Sequence, residues 1–199
     1  MDKIVYFFRH GESLANAEDK CGGQDDTPLT SLGCAQAAVT HEIVKDLSFD
    51  LVFSSDLSRA AKTASIVMPD ATPVYKKELR EVFCGQIEGM PHAEIRAKNG
   101  EEYVLAYQTR DYSFFGGESY EQFSTRVAAF KAGLESEDAA RIAVFSHAGF
   151  ITEFCRQALG ITALVPQRIP LTNCSVSVFS LKEGVWYLRT YNHTARLTF

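Results

Sequence analysis

The chain has 199 residues, 46% of them hydrophobic and 23% charged, enough apolar material for a sizeable core and too much for a disordered chain. A formal net charge of −5 and a pI near 5.6 argue against a nucleic-acid partner, which calls for a basic field, so any anion site must be local. The longest apolar runs are strand-sized, so no membrane span is expected, and five scattered cysteines (Cys21, Cys34, Cys84, Cys155, Cys174) without a CxxC pair read as reduced thiols of structural or incidental role.

The first element is the run Ile4-Val5-Tyr6-Phe7-Phe8, a buried strand starting at about Lys3 that runs straight into Arg9-His10-Gly11-Glu12-Ser13. A strand so early leaves no room for a secretory leader before it, and a cytoplasmic location is expected. Taken alone, a histidine after a strand is ordinarily a hydrogen-bonded turn residue, so His10 needs support from the rest of the chain.

Thr30 is placed to cap a helix from about Ser31 to Leu47, with Ala35, Ala38, Val39, Ile43 and Leu47 as its apolar stripe. Leu51-Val52-Phe53 is the next buried strand. It ends in Ser54-Ser55-Asp56, where Asp56 is expected to cap a helix carrying Arg59, Ala60, Ala64 and Val67. Pro73 to Lys76 reads as a short strand, followed by Leu79-Arg80-Glu81 and a loop around Gly85 and Gly89. From Met90 to Phe115 the pattern blurs into an excursion, with helix expected over 93–98 and 102–107 and an aromatic loop, Tyr112-Ser113-Phe114-Phe115, in which one phenylalanine packs and the other covers substrate. Gly116-Gly117-Glu118-Ser119 opens a long helix through Leu134, with Phe123, Val127 and Phe130 on one face. Ile142 to Phe145 is the fourth strand, leading into Ser146-His147-Ala148-Gly149. Strands over 175–181 and 185–191 form a hairpin across Lys182-Glu183-Gly184.

This rhythm predicts one α/β domain over residues 1–199, with a mostly parallel central sheet and helices on both faces. Three apolar strands each end in polar residues. If they are parallel, right-handed crossovers bring all three ends to one edge, where Arg9, His10, Arg59 and His147 meet Glu81 from a neighbouring loop. Two guanidinium forks suit the oxygens of a phosphoryl group. An imidazole with one nitrogen held as N–H by a carbonyl turns its other lone pair into a nucleophile, and a carboxyl group such as Glu81 can protonate the leaving oxygen.

Arg9-His10-Gly11-Glu12-Ser13 resembles the signature of the histidine phosphatase superfamily, the phosphoglycerate mutase-like enzymes. Further matches follow in order: Asn16, the segment Asp26-Thr27-Pro28-Leu29-Thr30-Ser31-Leu32-Gly33, the helix start Ser54 to Ala64 with Arg59, Leu79-Arg80-Glu81 with Gly85 and Glu88-Gly89, Gly116 to Ser119, and Ser146 to Gly149. The resemblance implies a phosphohistidine on His10, a phosphate clamp of Arg9 and Arg59, and His147 bonding the phosphate oxygens. It adds Asn16 and the backbone N–H of Ala148 as further donors, and Glu81 as the acid and then the base. No metal or cofactor is implied.

The sequence departs from the family at Ala148, where glycine is commoner, at Cys84 and Ile87, which replace aromatics, and at Gly22, where many relatives carry glutamine. Gly22 and Gly23, with Asp25, Phe83 and the excursion, are expected to form the wall that meets the alcohol. The excursion carries only Arg96, Lys98 and Arg110, and the ending Asn192 to Leu197 resembles that of small phosphatases, so a phosphatase acting on a small-molecule phosphomonoester is expected. The alternatives are phosphoglycerate mutase-type transfer and a catalytically silent binding or scaffold protein of the same fold. A metallophosphatase lacks support, because the five histidines include no HxxH, HExxH or DxH pair.

Overall fold

The computed structural model describes residues 2–162 and 170–194. Strands β1 (Lys3–Arg9), β2 (Leu51–Ser54), β3 (Val74–Tyr75), β4 (Arg141–Ser146), β5 (Val176–Lys182) and β6 (Val185–His193) form one sheet in the order β3-β2-β4-β1-β5-β6. The first four in that order run parallel, while β5 is antiparallel to β1 and β6 to β5. The β5–β6 turn places Glu183 at φ 50° and Gly184 at φ 78°, the two positive angles that a two-residue hairpin with matching twist demands.

The aromatic run of β1 is continuous because both faces of the sheet are covered. Val5 and Phe7 enter one core, with Phe7 packed 4.4 Å from Phe154 and 5.7 Å from Phe179. Tyr6 and Phe8 enter the other, where Phe8 stacks on Phe145 at 4.6 Å. Truncating Phe7, which is fully buried, costs about 3–5 kcal/mol by the general rule for large-to-small changes. A single-turn α1 (Leu14–Ala17) follows β1; helices α2 (Ser31–Val44) and α3 (Ser58–Val67) cover the second face, and α5 (Tyr120–Ser136) and α6 (Ala148–Ala158) the first.

Several local expectations change. The buried stripe of α2 is Gly33, Ala37, Thr40 and Val44; Ala35, Ala38 and Val39 face solvent, and the helix stops at Val44, before Leu47. Small residues let the helix approach closely, and the Thr40 hydroxyl shares its one proton between the Gln36 and Cys174 carbonyls, each 3.1 Å away. Asp56 does not cap α3, whose cap residue is Leu57 without a side-chain bond. Asp56 instead takes a bidentate ion pair from Arg80, at 2.7 and 2.6 Å. The two short helices expected in the excursion are present as the two halves of α4 (His92–Thr109), broken at Gly100, whose φ of 50° and ψ of −120° are not helical. Phe115 is buried and Phe114 exposed. Of the closing motif, Ala195, Arg196 and Leu197 lie outside the described residues.

Candidate active site

Parallel register builds the site. Arg9 pairs with Ser146 across β1 and β4, and the His10 N–H donates to the Ser146 carbonyl at 3.1 Å, so the residues following the two strands lie side by side. The rings of His10 and His147 are 5.0 Å apart. β2 flanks β4 on its other side, and the Ser55 N–H reaches the Phe145 carbonyl at 2.9 Å. A cleft of about 180 Å³ opens above these ends.

Of the residues singled out from sequence, Arg9, His10, Asn16, Gly22, Gly23, Arg59, Glu81 and Ala148 all line this cleft. His147, one residue before Ala148, is fully buried and is not a lining residue, with its ring beside that of His10. Val82 and Cys84 line the cleft, whereas Phe83 between them does not. His92 contacts the Tyr103 hydroxyl and stands on the cleft wall with Tyr107, Arg110 and Tyr112.

His10 Nδ1 lies 2.7 Å from the Gly11 carbonyl. A carbonyl only accepts, so Nδ1 carries the proton and Nε2 keeps its lone pair. Burial, with the charges of Arg59 and then Arg9, holds the imidazole well below its ordinary pKa and therefore neutral. His147 is held well below in the same way, by burial first and by Arg59, His10 and Arg9 after it.

Both guanidinium groups are pushed down by burial while Glu81 pulls them up, and they remain cations. Arg59 donates to the carbonyls of Asp25 and Gly23, each at 2.7 Å, which fixes the 23–25 loop and leaves three of its five N–H groups. Arg9 holds the Leu171 carbonyl, and its buried Nε has no partner among the described residues. Asn16 Oδ1 accepts from the Ser13 backbone, the Ser13 hydroxyl and Asn173, so its amide nitrogen is the group left to donate. Ala148 is the first residue of α6 and has no positive φ, so the missing glycine brings no backbone strain.

Glu81 lines the same cleft. Its Oε2 accepts the Gly149 N–H at 2.9 Å, in the first turn of α6. The cleft thus sets a neutral nucleophile-type imidazole and two cations against one carboxyl group.

The profile of the histidine phosphatase superfamily (branch 1) matches residues 5–194. The chain belongs to that superfamily. A curated relative, "Probable phosphoglycerate mutase GpmB" of Salmonella choleraesuis (strain SC-B67), is 35% identical over 188 residues, 92% of this chain and 86% of the relative. The alpha-ribazole phosphatase of Shigella flexneri superposes with a TM-score of 0.88 at 30% identity, covering 98% of this chain and 99% of the other. A mycobacterial glucosyl-3-phosphoglycerate phosphatase solved with VO3 gives 0.84 at 25% identity, over 96% and 98% of the two chains.

In this histidine phosphatase chain the loop that carries Glu81 is held by a residue that sequence reading missed. Arg126, on α5, donates to the carbonyls of Glu78, Arg80 and Glu81 at 2.8, 2.8 and 3.2 Å and forks onto the Glu118 carboxylate at 2.9 and 2.7 Å. Glu118 in turn accepts the Phe83 N–H at 2.9 Å. Behind Gly23, the Glu88 carboxylate takes the N–H groups of Gln24 and Cys84, and burial pushes its pKa up. Among the described residues no cluster of three or more His, Cys, Asp or Glu is arranged to hold a metal ion, and no helix is long and apolar enough to cross a membrane.

Proposed function

We propose that the chain is a metal-independent phosphomonoesterase that works through a phosphohistidine on His10. The observation that carries this reading is the tautomer of His10: Nδ1–H is tied to the Gly11 carbonyl, which leaves the Nε2 lone pair for the cleft that Arg9, Arg59 and Glu81 also line.

Arg9 and Arg59 bind the phosphoryl oxygens, with Asn16, His147 and the Ala148 N–H as further donors. The Nε2 lone pair attacks phosphorus as the ester P–O bond breaks, and the leaving oxygen takes a proton from Glu81. In the second half, the Glu81 carboxylate removes a proton from water as the water oxygen attacks phosphorus. The P–N bond then breaks, phosphate leaves and the neutral imidazole is restored.

The walls of the cleft favour a small-molecule ester. Gly22 and Gly23 line the cleft without side chains, and of the three basic residues in the excursion only Arg110 reaches it; Lys98 pairs with Glu94 on the surface and Arg96 lies elsewhere. Beyond Arg9 and Arg59 the basic residues lining the cleft, among the described residues, are Arg110 and Lys20, the latter paired with Glu18 at 2.6 Å, and this modest basic lining supports hydrolysis over mutase-type transfer.

The test is phosphate release from a panel of phosphomonoesters, with and without a chelator, and acid-quench detection of a phosphohistidine. Hydrolysis unaffected by chelation, with label trapped on parent protein and not on His10→Ala, is expected. Transfer to a second hydroxyl in place of water would establish the mutase reading, and inertness towards every ester the scaffold reading.

A further inference from the structure

The roles above leave the second histidine with a question of proton placement. His147 Nε2 lies 2.9 Å from Ser55 Oγ, and both side chains are completely buried. The same Ser55 oxygen accepts the Leu57 N–H at 3.3 Å. The contact exists because β2 and β4 are neighbours: Ser55 follows the last residue of β2, and His147 follows the last residue of β4.

A hydroxyl has one proton, and the ring of His147, held neutral by its surroundings, also has one to place. If Nε2 bore it, Ser55 would accept twice and its own buried proton would have no acceptor among the described residues. Nδ1 would then present a lone pair to an anion. If Ser55 donates to Nε2, its hydroxyl is satisfied on both sides. The ring proton then sits on Nδ1, a buried atom that has no partner among the described residues.

We infer that Ser55 is a positioning residue that holds His147 as the Nδ1–H tautomer, so that the ring meets a phosphoryl oxygen as a donor and not as a lone pair. Ser55 itself touches no substrate. Its effect travels through His147, much as the Gly11 carbonyl sets the proton on His10. The two adjacent imidazoles thereby share one tautomer for opposite purposes: His10 is left with a free lone pair at Nε2, and His147 with a free N–H at Nδ1. The second half of the inference rests on the proposed phosphate site, whereas the tautomer does not.

Nitrogen-15 NMR of histidine-labelled protein decides the matter, with the His147 signals assigned by their loss in His147→Gln. The unliganded parent at neutral pH is expected to show His147 protonated at Nδ1 and bare at Nε2; the reverse overturns the inference, whether or not the protein is an active phosphatase. Saturation with inorganic phosphate is expected to shift the Nδ1–H resonance, and an unmoved resonance overturns its role as a donor. Ser55→Ala is expected to give mixed tautomers and to lower kcat by about 10–100-fold with KM nearly unchanged, as loss of a transition-state donor does. Ser55→Thr, which keeps the hydroxyl, is expected to retain the parent tautomer; full kcat in Ser55→Ala counts against the inference.

Discussion

The Gly149 N–H donates to Glu81 Oε2 at 2.9 Å, and the same approach leaves Gly149 no room for a side chain: a Cβ there would overlap Glu81 Oε1 and stand 2.8 Å from Arg110 Nη1. Gly149 has no positive φ, so space and not conformation demands glycine. Ala is the better helix former by about 1 kcal/mol. Gly149→Ala is therefore expected to leave the melting temperature within a few degrees of the parent while displacing the carboxyl and lowering kcat by roughly 10–1,000-fold. Unchanged turnover would show that the Gly149 contact does not set the working position of the Glu81 carboxyl.

Contacts of this kind explain what the sequence discloses and what it hides. The strands and their polar ends are legible because burial on both faces writes continuous apolar runs, and the parallel rhythm then brings Arg9, His10, Arg59 and His147 to one edge. The face of α2 is not legible: hydrophobicity selects Val39, while close packing selects Gly33 and Thr40, which hydropathy ranks low. Asp56 reads as a cap because its type and offset fit one, yet a guanidinium 24 residues away offers the stronger partner. Ser55 reaches His147 and Arg126 reaches the Glu81 loop across more than 40 positions, without a local signature, so only the folded chain reveals these contacts.

Arg126 and Glu118 form a largely buried pair that spans the loop of Glu81. Removing either partner leaves the other charge poorly compensated, at a cost of about 3–5 kcal/mol at the upper end. Arg126→Met is expected to destabilise the fold by a few kcal/mol in urea and to raise KM and lower kcat together, since three loop carbonyls lose their donor. The double variant with Glu118→Gln should cost less than the sum of the singles. Additive effects would mean that the pair does not act as one clamp.

The two buried imidazoles make stability depend on pH in a defined direction. Both are held well below 6.5 in the folded chain, by burial and by the neighbouring arginines, and both regain ordinary basicity on unfolding. Below about pH 6.5 the unfolded chain binds protons that the folded chain refuses. Stability is thus complete above that pH and falls as pH drops, by up to about 1.4 kcal/mol per pH unit for each ring until its folded pKa is reached. Melting scans from pH 7.5 to 5.5 should show this decline, with a shallower slope in His10→Ala and in His147→Gln. Equal slopes in parent and variants would assign the effect to other groups.

The backbone that orients His10 is itself held by a glycine pair. A Cβ on Gly11 would overlap the Gly33 carbonyl oxygen, and one on Gly33 would overlap the Glu12 carbonyl oxygen, so the turn after β1 lies directly on the first turn of α2. Thr30 completes the join: its hydroxyl accepts the Gly33 N–H at 3.0 Å and donates to the Glu12 carboxylate at 2.7 Å. Because the Gly11 carbonyl sets the proton on His10, this contact connects helix packing to the nucleophile. Gly33→Ala forces backbone apart and is expected to cost about 1–3 kcal/mol or more, together with a fall in kcat as the Gly11 carbonyl moves. Thr30→Ala removes a cap without adding bulk and should cost about 1 kcal/mol with kcat nearly intact. Denaturant titration alongside turnover separates the two. If Gly33→Ala loses stability but keeps full kcat, the contact serves the fold alone, and the orientation of His10 must come from β1 and from the bond between the Gly11 N–H and the Thr63 hydroxyl.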